Sequence, residues 1–501
     1  MDKQITVTVN GRVVQAVSGQ TLSEIISGEK PCGGHGRCGK CRVTVTGEVS
    51  PPADSELSLL SSGELARGVR LACITRALGD CVVTAESPKE GMQIVSDGAL
   101  PPLELSPAFE RFGVAVDIGT TTVAARLYDG QGILLADAAC ANPQSRWGAD
   151  VISRVEAALG GKGRELALSV RGALDGIIKE LCGTAGIGSG EIDGAVITGN
   201  TVMLSLLTEE SAEPFSHAPF EVKRVFGETL RADELELTCL SHDTQIYIPP
   251  CISAFVGADI TCAILASQMC EQDTSMLADI GTNGEIALWH NGNLTVCSTA
   301  AGPAFEGVGI SAGMRGVEGA IDRVNVENGK LVSHVIGEAT PVGICGSGLV
   351  DAAACMLELD IIDENGYLED GELVIGPPVS LTQNDIRMLQ LAKGSVCAGI
   401  MTLMDGEKIS ADRIPALYVA GGFGSYLNKE NAAKIGLIPR GLSESVITVG
   451  NVALSGASVL LLDSTARNTA HPLAKPATAI ELSTNPTFFE NYIEAMLLKE
   501  M

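Results

Sequence analysis

The sequence predicts a multi-domain α/β protein with a small N-terminal head and a larger body of two related lobes that share a cleft. Three observations predict it. Val114-Ala-Val-Asp117-Ile-Gly119-Thr120-Thr121-Thr122-Val123 reads as an apolar strand ending in a carboxylate, then a glycine–hydroxyl turn, then a second strand closing at Asp129-Gly130. Met276-Leu-Ala-Asp279-Ile-Gly281-Thr282-Asn283-Gly284-Glu285 repeats that pattern and runs into another hairpin at Asn291-Gly292. Such turns present backbone N–H groups and hydroxyls to an anion, beside a carboxylate able to hold a metal through water. Two copies imply two related lobes. The third observation is a cysteine loop, Cys32 to Cys41, set apart from the body by a proline-rich stretch.

The bulk properties bound the function. A chain of 501 residues has room for about three domains at ~150 residues each. With 45% hydrophobic and 4% aromatic residues it can build aliphatic cores. A net charge of −27 argues against a nucleic acid partner, whose phosphates need clustered Lys and Arg. The start lacks a secretory h-region and no apolar run is long enough to span a bilayer, so a cytoplasmic protein with no membrane partner is expected. The 15 cysteines mostly sit singly in apolar segments, as in a reducing compartment.

In the head, assigned to residues 1–88, Ile5 to Val9 alternates as a strand, Asn10-Gly11 turns it, and Arg12 to Ala16 returns. Thr21-Leu-Ser-Glu24 is a capping box that opens a short helix. Cys32, Cys38 and Cys41 follow with C-x5-C-x2-C spacing, and Cys73 is a distant fourth. Four thiolates can hold zinc, although zinc sites usually pair two short C-x2–4-C knuckles. Gly33, Gly34, Gly36 and Gly39 let backbone N–H groups turn inward onto sulfur, which a charged cluster needs more than a zinc ion does. The arrangement resembles a [2Fe–2S] ferredoxin, and its x5 spacing is similar to the adrenodoxin variety. Cys81 is expected in the core and His35 as a plain loop residue. Residues 89–111, with prolines at 101, 102 and 107, read as a semi-rigid linker.

The body is assigned as a first lobe, 112–250, and a second, 251–501, that ends in an amphipathic helix near Phe488–Leu498. In the first, Ala195 to Met203 reads as a strand, a polar turn and a helix. This puts Asn200 at a strand end, where ligand sites collect, or leaves it as a helix cap. Gly346 and Ser347 open a helix whose N-terminus attracts anions. The glycines Gly421, Gly422 and Gly424 break a strand and allow close approach to a base and ribose. They match a dinucleotide fingerprint poorly.

The order Asp117-Ile-Gly-Thr, Asp279-Ile-Gly-Thr, Val419-Ala-Gly-Gly resembles the actin, sugar kinase and Hsp70 superfamily, whose two lobes close on ATP and Mg²⁺. Together with the N-terminal cysteine loop it resembles the reductive activators of corrinoid proteins over residues 3 to 500. Gly302-Pro-Ala-Phe-Glu306-Gly307 and Ile344-Cys-Gly-Ser-Gly348 are similar to that family as well. The resemblance implies a β-grasp [2Fe–2S] head on an actin-like or Hsp70-like ATPase body. It implies reduction of a Co(II) corrinoid protein to Co(I), serving a methyltransferase, demethylase or acetyl-CoA pathway system. A low-potential electron donor is implied as a further partner, and a homodimer is an open option. In this reading Cys32, Cys38, Cys41 and Cys73 hold the cluster, and Asp117 and Asp279 hold Mg²⁺ through water. Thr120, Thr121, Thr282 and Asn283 hydrogen-bond the phosphates, Gly119, Thr122, Asn200, Gly281, Gly346 and Ser347 also belong to the nucleotide site, and Gly421, Gly422 and Gly424 bound the adenosine. Glu285 and Glu306 are weaker candidates. The C-x2-C-x2-C run of the methylamine-system activators is missing from the C-terminal part. Two alternatives stand beside this one: an activator of a 2-hydroxyacyl-CoA dehydratase, and an ATP-switched redox-sensing adaptor.

Overall fold

The structure, a computed structural model, describes residues 3–26, 36, 39, 41–85, 100–423 and 426–501. In the head, the strands Gln4–Val9, Arg12–Val17, Arg42–Val49, Val69–Leu71 and Ala77–Ala85 form one mixed five-stranded sheet. Asn10 (φ 46°) and Gly11 (φ 81°) make the tight turn between the first two, with Val9 opposite Arg12. Alternation sends Ile5, Val7, Val43, Val45, Cys81 and Val83 to one buried face against Leu22. Leu22 belongs to the helix Leu22–Ile25, which opens with the expected Thr21–Glu24 capping box.

The body contains two sheets with one shared topology. In the first, Phe112–Ile118, Thr122–Asp129 and Leu134–Ala141 form an antiparallel meander. Phe112–Ile118 pairs in parallel with Ile192–Gly199, which pairs in parallel with Gln245–Ile248. In the second, Thr274–Ile280, Gly284–His290 and Asn293–Thr299 form the meander. Thr274–Ile280 pairs in parallel with Leu417–Ala420, and that strand with Val446–Gly450. The repeated hairpins are therefore the matching corners of two copies of one lobe.

Between the sheets lie the helices Ala258–Ser267 and Val452–Leu462. Every residue of Val452–Leu462 is buried, as expected of a helix apolar on all sides. At their crossing a Cβ on Gly456 would come within 2.0 Å of the Cys262 carbonyl oxygen, so only glycine permits the approach. Val452–Leu462 leaves a strand of the second lobe and packs on Phe112–Ile118 and Ile192–Gly199 of the first, so the lobes share a core. The outer face of the first sheet is covered by Gly163–Ala185 through Leu166, Val170, Leu174, Ile177 and Leu181. Gly346–Glu358 and Gln383–Glu407 cover the second sheet, and Pro486–Ala495 packs on the latter helix.

Residues 100–111, within the segment expected as linker, are bound to the body. Ser106 N–H and Ala108 N–H donate to the Leu462 and Leu461 carbonyls, both at 2.9 Å, and Leu100 and Leu103 pack on the shared core. Among the described residues no helix is long and apolar enough to cross a membrane.

Candidate functional site

The corners of both meanders and the N-termini of Ala258–Ser267, Gly346–Glu358 and Val452–Leu462 meet in a cleft of about 360 Å³ between the lobes. Asp117, Gly119, Thr120, Thr121, Thr122, Asn200, Asp279, Gly281, Thr282, Asn283, Gly346, Ser347, Gly421 and Gly422 all line it. Gly424 lies outside the described residues.

Each hairpin is closed by its own backbone. Gly119 N–H donates to the Thr122 carbonyl at 2.9 Å, and Gly281 N–H to the Asn283 carbonyl at 3.0 Å. A Cβ at Gly119 would stand 2.7 Å from the Thr122 carbonyl oxygen, which no larger residue tolerates. Asn200 fills both of the roles open to it. Its Oδ1 accepts from Met203 N–H at 2.9 Å, capping the helix Thr201–Leu207, while its Nδ2 donates to the Thr120 hydroxyl at 3.3 Å. The Ser347 hydroxyl donates to the Asp322 carbonyl at 2.9 Å, so Ser347 offers the cleft its helix N-terminus and not its side chain. Gly421 (φ 91°) is pressed onto the second hairpin, where a Cβ would meet the Ile280 carbonyl oxygen at 2.6 Å and Asp279 Oδ1 at 3.0 Å. The glycine turn at Gly421 and the second hairpin are thus packed as one piece.

The cleft is rich in carboxylates. Burial, with the charge of Asp279 added, pushes Asp117 up to about 7, and a hydrogen bond with Asn451 opposes the shift. Burial and then the charge of Glu306 push Asp279 up to about 6. Asp259, in the first turn of Ala258–Ser267, is raised to about 8 by burial and by Asp117 and Asp279. Glu285 stands opposite Asp279 across the hairpin and is raised well above the usual range by burial, Asp259 and Asp279. Arg315 is the one Lys or Arg among the described lining residues. No three His, Cys, Asp or Glu side chains among the described residues converge closely enough to hold a metal directly. The donor set fits Mg²⁺, which takes one or two carboxylates, keeps waters and uses substrate phosphates for the rest.

Asp259, Asn451 and Arg315 were not singled out in the sequence. Asn451 had a legible signal: Gly450-Asn451-Val452 repeats the strand–glycine–asparagine–helix junction of Gly199-Asn200-Thr201. Its side chain caps Val452–Leu462 by accepting from Leu454 N–H at 3.1 Å.

In the head, Cys41 and Cys73 are brought together, while Cys32 and Cys38 lie outside the described residues. A hydrogen bond with Cys73, together with backbone N–H groups of Cys73, Cys41 and Ala72, outweighs burial and lowers the Cys41 thiol to about 7. Thiols ringed by inward N–H groups fit an iron–sulfur cluster. The turn that carries Cys73 is pinned by Glu56, which is buried. This carboxylate holds the Arg70 guanidinium at 2.9 and 2.7 Å and accepts from Leu71 N–H at 2.9 Å and the Thr75 hydroxyl at 3.0 Å.

Three family models match along the chain: a 2Fe–2S iron–sulfur cluster binding domain over residues 5–78, the RACo middle region over 112–272, and the C-terminal domain of RACo, the ASKHA domain, over 273–501. The corrinoid activation enzyme RamQ of Eubacterium limosum is 34% identical over 415 residues, which cover 76% of this chain and 69% of that enzyme. The chain belongs to the corrinoid activator family. This chain joins a 2Fe–2S cluster-binding head to a nucleotide-binding ASKHA body. The [Co(II) methylated amine-specific corrinoid protein] reductase of Methanosarcina barkeri is 28% identical over 335 residues, 60% of this chain and 62% of that one. The solved structure of a reductive activator for corrinoid, iron–sulfur protein is 27% identical. It matches with a TM-score of 0.71, covering 99% of this chain and 98% of that one.

Proposed function

We propose that this corrinoid activator uses ATP to drive a single low-potential electron onto a Co(II) corrinoid protein, restoring the Co(I) state that accepts methyl groups. The observation that carries this reading is the union, in one chain of this family, of a thiol loop and a two-lobed cleft lined by both phosphate-type hairpins. A [2Fe–2S] cluster bound by Cys32, Cys38, Cys41 and Cys73 supplies a one-electron carrier, at about −400 mV if plant-type. Transfer to a more reducing cobalt centre costs about 2.3 kcal/mol per 100 mV for one electron. ATP can cover such a gap only through a state of the protein that interacts differently with its partner.

In the cleft, Thr120, Thr121, Thr282 and Asn283 hydrogen-bond the phosphates, with the N-termini at Gly346 and Asn451 facing them. Gly421, Gly422 and Gly424 accept the adenosine. Asp117 and Asp279 hold Mg²⁺ through water, which neutralises phosphate charge, and one of the two orients the attacking water. Asp279, which faces Glu285 across its hairpin and lies against the Gly421 turn, is the better candidate for that task. Because helix Val452–Leu462 joins the two lobes in one core, closure on ATP moves surfaces of both lobes together and gives the partner a nucleotide-dependent face.

The test is anaerobic absorbance of a Co(II) corrinoid protein mixed with this protein, a low-potential reductant and ATP with Mg²⁺. The Co(I) band rises only with ATP and is lost in Cys38→Ala and Asp279→Ala. A reduced cluster with no Co(I) from any of several corrinoid proteins would overturn the proposal in favour of a redox-sensing adaptor.

A further inference from the structure

Glu306 holds a position that phosphate binding alone does not explain. It ends the turn Pro303–Glu306, and its carboxylate reaches both lobes at once. Oε2 accepts from the Thr121 hydroxyl of the first hairpin at 2.7 Å, and Oε1 from the Thr282 hydroxyl of the second, also at 2.7 Å. Oε1 also lies over the second turn, 3.6 Å from where a Cβ on Gly281 would be. An anionic acceptor thus already sits between the hydroxyls assigned to phosphate oxygens. Its charge is felt nearby, since it helps to raise Asp279.

The segment that carries Glu306 is tied to the rest of the site. Gly302 N–H donates to the Thr282 carbonyl at 2.9 Å. Phe305 stacks on Phe423 with ring centroids 4.6 Å apart, next to the adenosine turn at Gly421-Gly422. A Cβ at Gly346 would come within 2.2 Å of the Phe305 carbonyl oxygen, so the N-terminus of that helix abuts the same segment. A displacement of Glu306 is therefore passed to the adenosine turn and to the Gly346 helix.

We propose that Glu306 is a built-in phosphate mimic, bridging Thr121 and Thr282 in the nucleotide-free protein and giving way to the terminal phosphate of ATP. The inference rests on the nucleotide reading of the cleft. Phosphate oxygens and carboxylate oxygens are both anionic acceptors and compete for the same two hydroxyl donors. ADP lacks the third phosphate and leaves the bridge in place. Glu306 acts as a positioning residue that lowers ATP affinity in exchange for a movement that only the triphosphate produces.

The experiment is anaerobic calorimetric titration of the full-length holoprotein and of Glu306→Gln and Glu306→Ala with a non-hydrolysable ATP analogue and with ADP, each with Mg²⁺. Two variants guard against a folding failure of either. Removing the carboxylate is expected to tighten the triphosphate analogue about 10-fold while ADP changes less than about 2-fold. An equal shift for both nucleotides, as a structural defect would give, overturns the inference. So does unchanged affinity of both variants for the triphosphate analogue. Failure of the wild type to bind either nucleotide overturns the reading of the cleft itself, and the inference with it.

Discussion

The two phosphate-type hairpins share a backbone and differ in chemistry. Each has an aspartate at the end of the first strand, a turn closed by a glycine N–H, and a parallel neighbour on the same side of the meander. In the first, the residue opposite Asp117 is Ala124, and the turn offers three consecutive threonines. In the second, the residue opposite Asp279 is Glu285, and the turn offers Thr282 and Asn283. Burial, with Asp259 and Asp279 nearby, raises Glu285 well above the usual range, so that it favours its protonated form beside Asp279. The second hairpin therefore buries a second carboxyl group, at a desolvation cost that the first avoids. The first hairpin offers the cleft more hydroxyls, the second more carboxyls.

Breaking that asymmetry at its strongest point should have the largest effect. Asp279→Asn removes the carboxylate of the hairpin that also carries Glu285 and is expected to cost about 10²–10³ in ATP-dependent Co(I) formation. Asp117→Asn removes one that faces only Ala124 across its hairpin and is expected to cost some tenfold less. Parallel ATP turnover and Co(I) absorbance measurements check the ranking. Equal losses would make the two hairpins functionally equivalent and sink the division of labour.

The next test exchanges the residues opposite the aspartates. Glu285→Gln keeps shape and hydrogen bonding but removes the second ionisable group of that hairpin, and should slow turnover by about 10-fold. Ala124→Glu builds the missing carboxylate into the first hairpin. It should raise Asp117 further and weaken Mg²⁺-nucleotide binding, by about 10-fold for one unpaired like charge. Nucleotide titrations of both variants decide whether the side opposite the aspartate sets the hairpin's role.

Much of this site was legible because its residues lie inside repeated local patterns. The Asp-Ile-Gly-Thr turns, the glycine break after Val419 and the polar turn at Asn200 each announce a strand end, and strand ends in paired α/β lobes converge. What remained hidden depends on tertiary packing. Asp259 reads as an ordinary first-turn helix carboxylate, and only the seating of Ala258–Ser267 between the sheets turns it toward Asp117 and Asp279. Glu306 was a weak candidate, since a glutamate after a glycine–proline turn says nothing of which hydroxyls it will meet. In the head the cysteine spacing marked candidate ligands, yet Glu56 gave no sign that it would hold the Cys73 turn. Residues 100–111 read as tether from their prolines, whereas their backbone hydrogen bonds to Leu461 and Leu462 come from a segment some 350 residues later in the chain.

The same carboxylate chemistry takes opposite signs in head and body, and pH separates them. Glu56 is penalised by burial, but Arg70, Leu71 N–H and Ala53 N–H outweigh this and hold it below its usual range. A depressed carboxylate gives stability that is present above its ordinary titration range and lost as the pH falls through the folded value. Asp279, Asp117 and Asp259 are raised to about 6, 7 and 8. A raised carboxylate binds more protons folded than unfolded, so its contribution is full below the ordinary range and is lost as the pH climbs toward 8. Both tryptophans, Trp147 and Trp289, lie in the body, so their fluorescence follows its unfolding, while visible absorbance follows the cluster of the head. Between pH 5 and 8 the nucleotide-free body should melt at progressively lower temperature, and Asp259→Asn should gain on the wild type across that window. Breaking the buried pair by Glu56→Ala should destabilise the head by about 3–5 kcal/mol near neutral pH and by less as the pH approaches 4. Mg²⁺ with ATP should flatten the body's slope, because a bound cation takes the place of the protons, and should leave the head's unchanged. A body whose melting temperature is level from pH 5 to 8 would mean that these carboxylates carry no shared charge strain, and the asymmetry between the hairpins would then need another cause.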